Sequence, residues 1–270
     1  MAFVSPDVQL LLSVAYYRKE EDMKIEKMVQ PESLDDAYSA LLSHDKALLM
    51  AGGVFLRLQK RINPLVIDLS DLPLDYIKTD SEVIRIGAMT SLREIEQAEI
   101  LPKAISQSTR QIGGVGLRNL VTIGGSVCGR YGFSDITTAL LAVEAHLSFY
   151  KAGEISLLAY LEKGEPKKDI LIEVIVPRNI KSSFRCFKSV YTDFSLINVA
   201  VSYDEKWKVA IGARPGRAVL VKANEIESLD IHELIAPVQI EDDVRSHADY
   251  RRSLAETLIS EAIEEVSEWK

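Results

Sequence analysis

Short apolar runs rich in Val, Ile and Leu alternate along most of this chain with segments whose apolar residues recur at helical spacing. That alternation leaves neither a helical bundle nor an all-strand sandwich, and points to a mixed α+β fold. Ser33 opens SLDDAYSALL, where Leu34, Ala37, Tyr38, Leu41 and Leu42 fall on one helical face and Asp36 supports the cap. A strand at 47–50, a glycine turn at 51–53, a helical turn through FLRLQ and a strand at 65–69 follow. Residues 83–88 read as a further strand, and Ser91 with Glu94 forms a capping box for another helix. A helix is expected from Ala104 to Ile112.

The stretch IGGVGLRNLVTIGGSVCGR, residues 112–130, then forces the chain to turn repeatedly. Asp135 is placed to cap ITTALLAVEA, a helix too continuously apolar for a surface position. Strands are expected at 145–150 and 169–177, followed near 178–183 by a change of texture. Residues 184–190, 195–203 and 207–213 read as an antiparallel meander. A closing helix carries Leu254, Leu258, Ala262 and Val266 in line.

Forty acidic against 32 basic residues give a net charge of −8 in this 270-residue chain. Such a field repels nucleic acid and anionic lipid. Cys128 and Cys186 are the only cysteines, too few for a disulfide framework, a four-thiolate zinc site or an iron–sulfur cluster. The apolar first segment lacks a basic start and carries Asp7, which argues against a signal peptide and for a cytoplasmic chain. Residues 1–23 read as an extension, with Val8, Leu11, Leu12 and Ala15 spaced as a short docking helix.

Familiar motifs are mostly missing. There is no phosphate-binding GxxxxGK[ST], the third glycine of a dinucleotide fingerprint would fall on Asn119, and the four histidines lack metal-ligand spacing. Two glycine turns about 70 residues apart remain, Ala51-Gly52-Gly53 and Thr122-Ile123-Gly124-Gly125. Either alone is an ordinary tight turn. Together they can supply backbone N–H donors to one diphosphate, since glycine puts no Cβ in the way.

The segments AGGVFLRL (51–58), IRIGAMTSLREIE (84–96), RNLVTIGGSVCGRYGFSDITTALLAVEA (118–145), ILIEVIVP (170–177) and YRR (250–252) occur in an order that resembles the FAD-binding subunits of molybdenum hydroxylases. That family includes the medium subunits of xanthine dehydrogenase and carbon monoxide dehydrogenase. The specific signature is RN followed by TIGG, with Asp135 nine residues after Ser126. The resemblance implies a two-lobed FAD-binding domain of the vanillyl-alcohol-oxidase (PCMH) type, with lobes at about 24–80 and 81–180. A small C-terminal domain of antiparallel sheet and helix, 181–270, would follow.

Carried over by position, Leu49, Met50, Ala51, Gly52, Gly53, Val54, Phe55 and Leu56 would form the first diphosphate loop. Gly124, Gly125 and Ser126 would form the second, with the Thr122 hydroxyl beside it. Ile112 would line the groove, Asp135 would accept from a sugar-chain hydroxyl, Leu171 would pack on the flavin and Lys188 would approach its polar rim. The chain departs from the family at Val54 and Phe55, where a polar residue and an acid are usual, and at Ser126, where Asn is usual.

The implied role is an electron-transfer subunit. It would take electrons from iron–sulfur clusters on one partner, fed by a molybdopterin subunit of purine or xanthine type, and pass them to NAD or another acceptor. Two alternatives stand beside it, a partner subunit that keeps the fold without FAD and an independent flavin oxidoreductase.

Overall fold

The computed structural model describes residues 24–58, 62–164, 166–223 and 230–268. The extension at 1–23, with its expected docking helix, lies outside the described residues. Among those described, no helix is long and apolar enough to cross a membrane.

The first region holds β1 (Lys24–Ile25), β2 (Met28–Val29), α1 (Leu34–Ser43), β3 (Leu48–Met50), β4 (Ile62–Asn63) and β5 (Val66–Asp68). The Ser33 hydroxyl accepts from the Asp36 N–H and caps α1, as its position in the sequence predicts. β5 runs parallel between β2 and β3, and β1 pairs parallel with β4. Ala37 and Leu41 on one stripe of α1 meet Leu65, Ile67, Leu69, Leu72 and Leu74 in a small core that Ile170 completes. The helical turn expected through FLRLQ is a single 3-10 turn at Leu56–Leu58.

The second region comprises β6 (Ile77–Thr79), β7 (Val83–Gly87), α2 (Leu92–Gln97), α3 (Lys103–Arg110), α4 (Val115–Arg118), α5 (Ile123–Cys128), α6 (Asp135–Ala142), β8 (His146–Phe149), β9 (Gly153–Ser156), α7 (Leu157–Lys163) and β10 (Leu171–Pro177). Its strands form one antiparallel sheet in the order β6-β7-β10-β8-β9. The Ser91–Glu94 capping box closes in both directions at the start of α2. All eight residues of α6 are buried, as its continuous apolar sequence demands, and it forms the centre of the largest core. Its cap is not Asp135, however. The hydroxyl of Ser134 accepts from the Thr137 N–H, which frees the Asp135 carboxylate for the interior.

The third region is a four-stranded antiparallel meander of β11 (Lys181–Phe187), β12 (Ile197–Tyr203), β13 (Trp207–Gly212) and β14 (Val219–Ala223), followed by α8 (Ile231–Ile235) and α9 (Ala248–Glu268). Pleating sends Ile197, Val199, Val201, Val209 and Ile211 toward α9, with Ala255, Ile259, Ala262 and Val266 against them. The opposite face sends Phe184, Ala200 and Ala210 into the core around α6. This sheet is covered on both faces and shares a core with the second region. The first strand stops at Phe187, so Lys188 lies beyond the strand expected through 184–190.

Candidate functional site

A cavity of about 720 Å³ opens where the first region meets the second, and residues from the start of the third close one side. Its volume lies in the range typical of small-molecule sites, about 300–1,000 Å³. All the residues singled out by resemblance line it except Met50. That residue instead accepts from the Leu69 N–H through its carbonyl and carries its side chain beneath Gly53.

The turn after β3 leaves its donors open. Gly53 has φ +66°, a left-handed conformation that glycine adopts without penalty. A Cβ on Gly52 would lie 1.6 Å from the Leu120 carbonyl oxygen, so main chain packs directly on main chain there. Among the described residues, the N–H groups of Gly52, Gly53, Val54 and Phe55 meet no protein acceptor. Several amide donors gathered in one short turn form an anion-binding concavity.

The second glycine pair differs from the expectation of a turn, because it begins helix α5. Thr122 is the N-cap and its hydroxyl accepts from the Gly125 N–H at 3.2 Å. The Ile123 N–H donates to the Thr90 carbonyl, Gly124 to Ala88 at 2.9 Å and Ser126 to Thr122. Hence the N–H groups at 123–126 are already occupied. A Cβ on Gly124 would fall 2.6 Å from the Ala88 oxygen, whereas one on Gly125 would meet only the Thr122 hydroxyl at 3.2 Å. Gly124 serves helix–strand packing and Gly125 faces the open cavity.

At the closed side, Asp135 is 4% exposed and both of its carboxylate oxygens have protein partners. Ser195 and Asn198 donate to one of its oxygens at 2.6 and 2.7 Å, and Lys188 pairs with the other at 2.9 Å. Lys188 also donates to the Gln111 carbonyl at 2.5 Å, and only 7% of its side chain is exposed. The expected lone cation is therefore one half of an ion pair. Its field toward a ligand falls off as that of a dipole, faster than that of a single charge. Neighbouring Cys186 is held protonated at neutral pH, since burial and the Asp135 charge push its thiol up to about 11.

The walls are apolar. Ile112, Leu117 and Val121 contribute from the α3–α5 segment, and Leu171 stands at a register shift of β10 opposite Phe149. Phe149 packs on Tyr160 with ring centroids 5.5 Å apart. Cys128 exposes its surface into the cavity, while the protein packed around it on that wall keeps water from solvating a thiolate and pushes its thiol up to about 11, a hydrogen bond from Tyr160 opposing only in part.

Sequence reasoning missed an aromatic group at the rim. Phe55 lies 4.8 Å from Tyr131 and 6.0 Å from Phe133, and Phe133 lies 4.0 Å from Phe194. All four line the cavity. The spacing in RYGFSD and in TDF was the available signal, but only the fold brings those segments to Phe55.

Comparison with known proteins bears on the family and the fold of the chain. Residues 22–179 match the family described as FAD binding domain in molybdopterin dehydrogenase. The chain is 26% identical over 250 residues to the uncharacterized protein YgfM of Escherichia coli K12, covering 88% of this chain and 95% of that protein. It is 28% identical over 273 residues to the glyceraldehyde dehydrogenase medium chain of Sulfolobus acidocaldarius, covering 88% and 97%. In fold it is similar to a chain of carbon monoxide dehydrogenase from Hydrogenophaga pseudoflava, with a TM-score of 0.79 and 21% identity over 90% of this chain and 97% of that chain. Matched over more than half its length, the chain belongs to the FAD-binding family of molybdopterin dehydrogenases.

Proposed function

We propose that this chain is the FAD-carrying electron-transfer subunit of a multi-subunit molybdenum hydroxylase. One observation carries the reading: a turn with four backbone donors that are unengaged among the described residues opens into an apolar cavity of cofactor size. Bound FAD would supply reversible uptake of one or two electrons. With two cysteines, both held as thiols, the side chains of this chain offer no such chemistry.

In this reading the N–H groups of residues 52–55 bind the diphosphate, and Gly53 holds the turn in the conformation that presents them. Ile112, Leu117, Phe149 and Leu171 exclude water from the planar rings. Asp135 receives a hydroxyl of the sugar chain only on lone pairs left over from Ser195, Asn198 and Lys188. Lys188 is paired with Asp135, so the two together offer the ring a fixed dipole. Thr122, Gly124, Gly125 and Ser126 act as a wall whose shape admits the ligand.

Residues 24–180 form the cofactor domain in two lobes in this assignment, and 181–270 the C-terminal domain. Partner subunits carry the iron–sulfur clusters and the molybdopterin in the cytoplasm, and NAD or another acceptor receives the electrons. The sequence resemblance favours a purine-type substrate on the molybdenum subunit. The match to a protein named as a medium chain supports a multi-chain assembly.

The test is a titration of flavin-free protein with FAD and with riboflavin, which lacks the diphosphate. Saturable binding of one FAD per chain, at least about tenfold tighter than riboflavin, is expected from charge-assisted bonds to the turn. Equal affinity for both ligands, or none for FAD, would overturn the reading and favour a partner that keeps only the fold.

A further inference from the structure

Arg251 is completely buried in α9. Its guanidinium donates to the Leu196 carbonyl at 2.5 Å and to the Ala213 carbonyl at 2.7 Å, and pairs with Asp243. Asp243 also holds Arg245 at 3.1 Å, and Arg245 donates to the Ser195 carbonyl at 3.3 Å. Two arginines braced by one carboxylate thus grip consecutive carbonyls, at 195 and 196.

Both gripped segments lead to the cavity. Ser195 follows Phe194, a member of the aromatic rim, and its hydroxyl donates to Asp135, the partner of Lys188. Ala213 donates from its N–H to the Gly132 carbonyl at 3.0 Å, between Tyr131 and Phe133 of the same rim. Ala213 moreover has φ +55°, a conformation disfavoured for any residue with a Cβ, and it is 1% exposed. Such strain persists only where surrounding contacts over-determine it, and Arg251 and Gly132 are those contacts.

We propose that Asp243, Arg245 and Arg251 are positioning residues for the cavity, fixing from the C-terminal region both the aromatic rim and the Asp135–Lys188 pair. The proposal deepens the FAD reading by adding the third region to the binding machinery. The gripped carbonyls adjoin β12 and β13, on which α9 packs, so the contacts that hold the helix to the sheet also fix the segments that run on to the cavity. The cluster is also far better enclosed at Arg251 than at Arg245, whose side chain is 29% exposed. Removing Arg245 is therefore the milder perturbation.

The experiment compares Arg245→Gln and Arg251→Met with the unaltered chain by amide hydrogen exchange and by FAD titration. Loss of a charged hydrogen bond is worth about tenfold in an equilibrium. Arg245→Gln should therefore speed exchange about tenfold in peptides spanning 131–134 and 192–198 while leaving 34–50 unchanged. FAD should bind about tenfold more weakly and with an altered visible circular dichroism. Arg251→Met should enlarge the same local effect. Should Arg251→Met unfold the chain, Arg245→Gln decides alone. Uniformly faster exchange, or local loosening with unchanged FAD affinity and dichroism, would reduce the cluster to a structural brace. Failure of the unaltered chain to bind FAD overturns the cofactor reading instead, and the exchange pattern then decides the clamp.

Discussion

The two glycine pairs that face the cavity are nearly indistinguishable as sequence and opposite as backbone. At Gly52-Gly53 the chain has left a strand, one glycine is left-handed and four consecutive N–H groups are unengaged among the described residues. At Gly124-Gly125 the chain has entered a helix, and strand, cap and first turn already occupy every N–H from 123 to 126. What separates them is where the preceding hydrogen bonds go. Thr122 offers a hydroxyl cap and lies beside the end of β7, so its turn closes on protein. The residues after Met50 meet no such acceptor among the described residues, which leaves their turn open to a ligand.

The largest expected effects fall on the glycine of each pair that is packed against main chain. Gly52→Ala would put a Cβ 1.6 Å from the Leu120 oxygen, and Gly124→Ala one 2.6 Å from the Ala88 oxygen. Overpacking against rigid backbone costs about 3 kcal/mol. Both variants should lose that much in urea unfolding, with Gly52→Ala the worse. An unchanged midpoint in either would mean that the backbone parts freely there, and would break the assignment of Gly52 and Gly124 as packing glycines.

The sharper contrast lies in the other two glycines. Gly53→Val imposes a Cβ on a left-handed residue, costing roughly 1–2 kcal/mol, and so tilts the turn away from presenting its donors. FAD affinity should fall by about tenfold or more while riboflavin binding holds. Gly125→Ala meets only the Thr122 hydroxyl and gains helix propensity of about 1 kcal/mol. It should fold at least as well and keep FAD affinity within about threefold. Equal losses of FAD in the two variants would show that the helix start donates as much as the turn, and the distinction would fail.

Much of this was readable beforehand, and the failures share one cause. Caps and periodicities are local, so Ser33, the Ser91–Glu94 box and the buried α6 followed from a few neighbouring residues. The set of residues around the cavity came from the family resemblance, carried over position by position. Long-range acceptors did not. Thr90 and Ala88, just after β7, absorb the N–H groups of Ile123 and Gly124, and nothing near TIGG announces them. Asp135 was expected at a helix cap and Lys188 in a strand, but Ser195 and Asn198 arrive from 60 and 63 residues away to enclose their pair. β14 and the aromatic rim were missed for the same reason.

A smaller effect is expected from restoring a polar side chain to the open turn. Val54 is partly buried against the main core, so Val54→Thr introduces one hydroxyl at nearly constant size. If the hydroxyl reaches the ligand, one net hydrogen bond of about 1 kcal/mol should tighten FAD about fivefold. The same change at the helix start has no counterpart, because Ser126 already spends its hydroxyl on the Thr122 carbonyl at 2.9 Å. Weaker FAD binding by Val54→Thr would show that the turn works through main chain alone and needs the Val54 methyl for packing.

The smallest effect is a difference in thiol reactivity, and it reports on the occupied pair directly. Cys128 ends the helix that Thr122 begins, and its exposed surface faces the cavity. With its thiol pushed up to about 11, only about one molecule in a thousand carries the thiolate at pH 8. Alkylation of Cys128, followed by peptide mass, should therefore be slow and should rise about tenfold per pH unit until near that value. The direction is fixed by burial, which disfavours the charged form. Saturating FAD should slow it further by covering the wall on which Cys128 sits, while Cys186, outside the cavity lining, changes less. Protection of Cys128 would show ligand lying along α5 even though its amides are spent, so that the helix start shapes the site without donating to it. Labelling of Cys128 at the rate of an ordinary thiol, with or without FAD, would place the ligand against the open turn only.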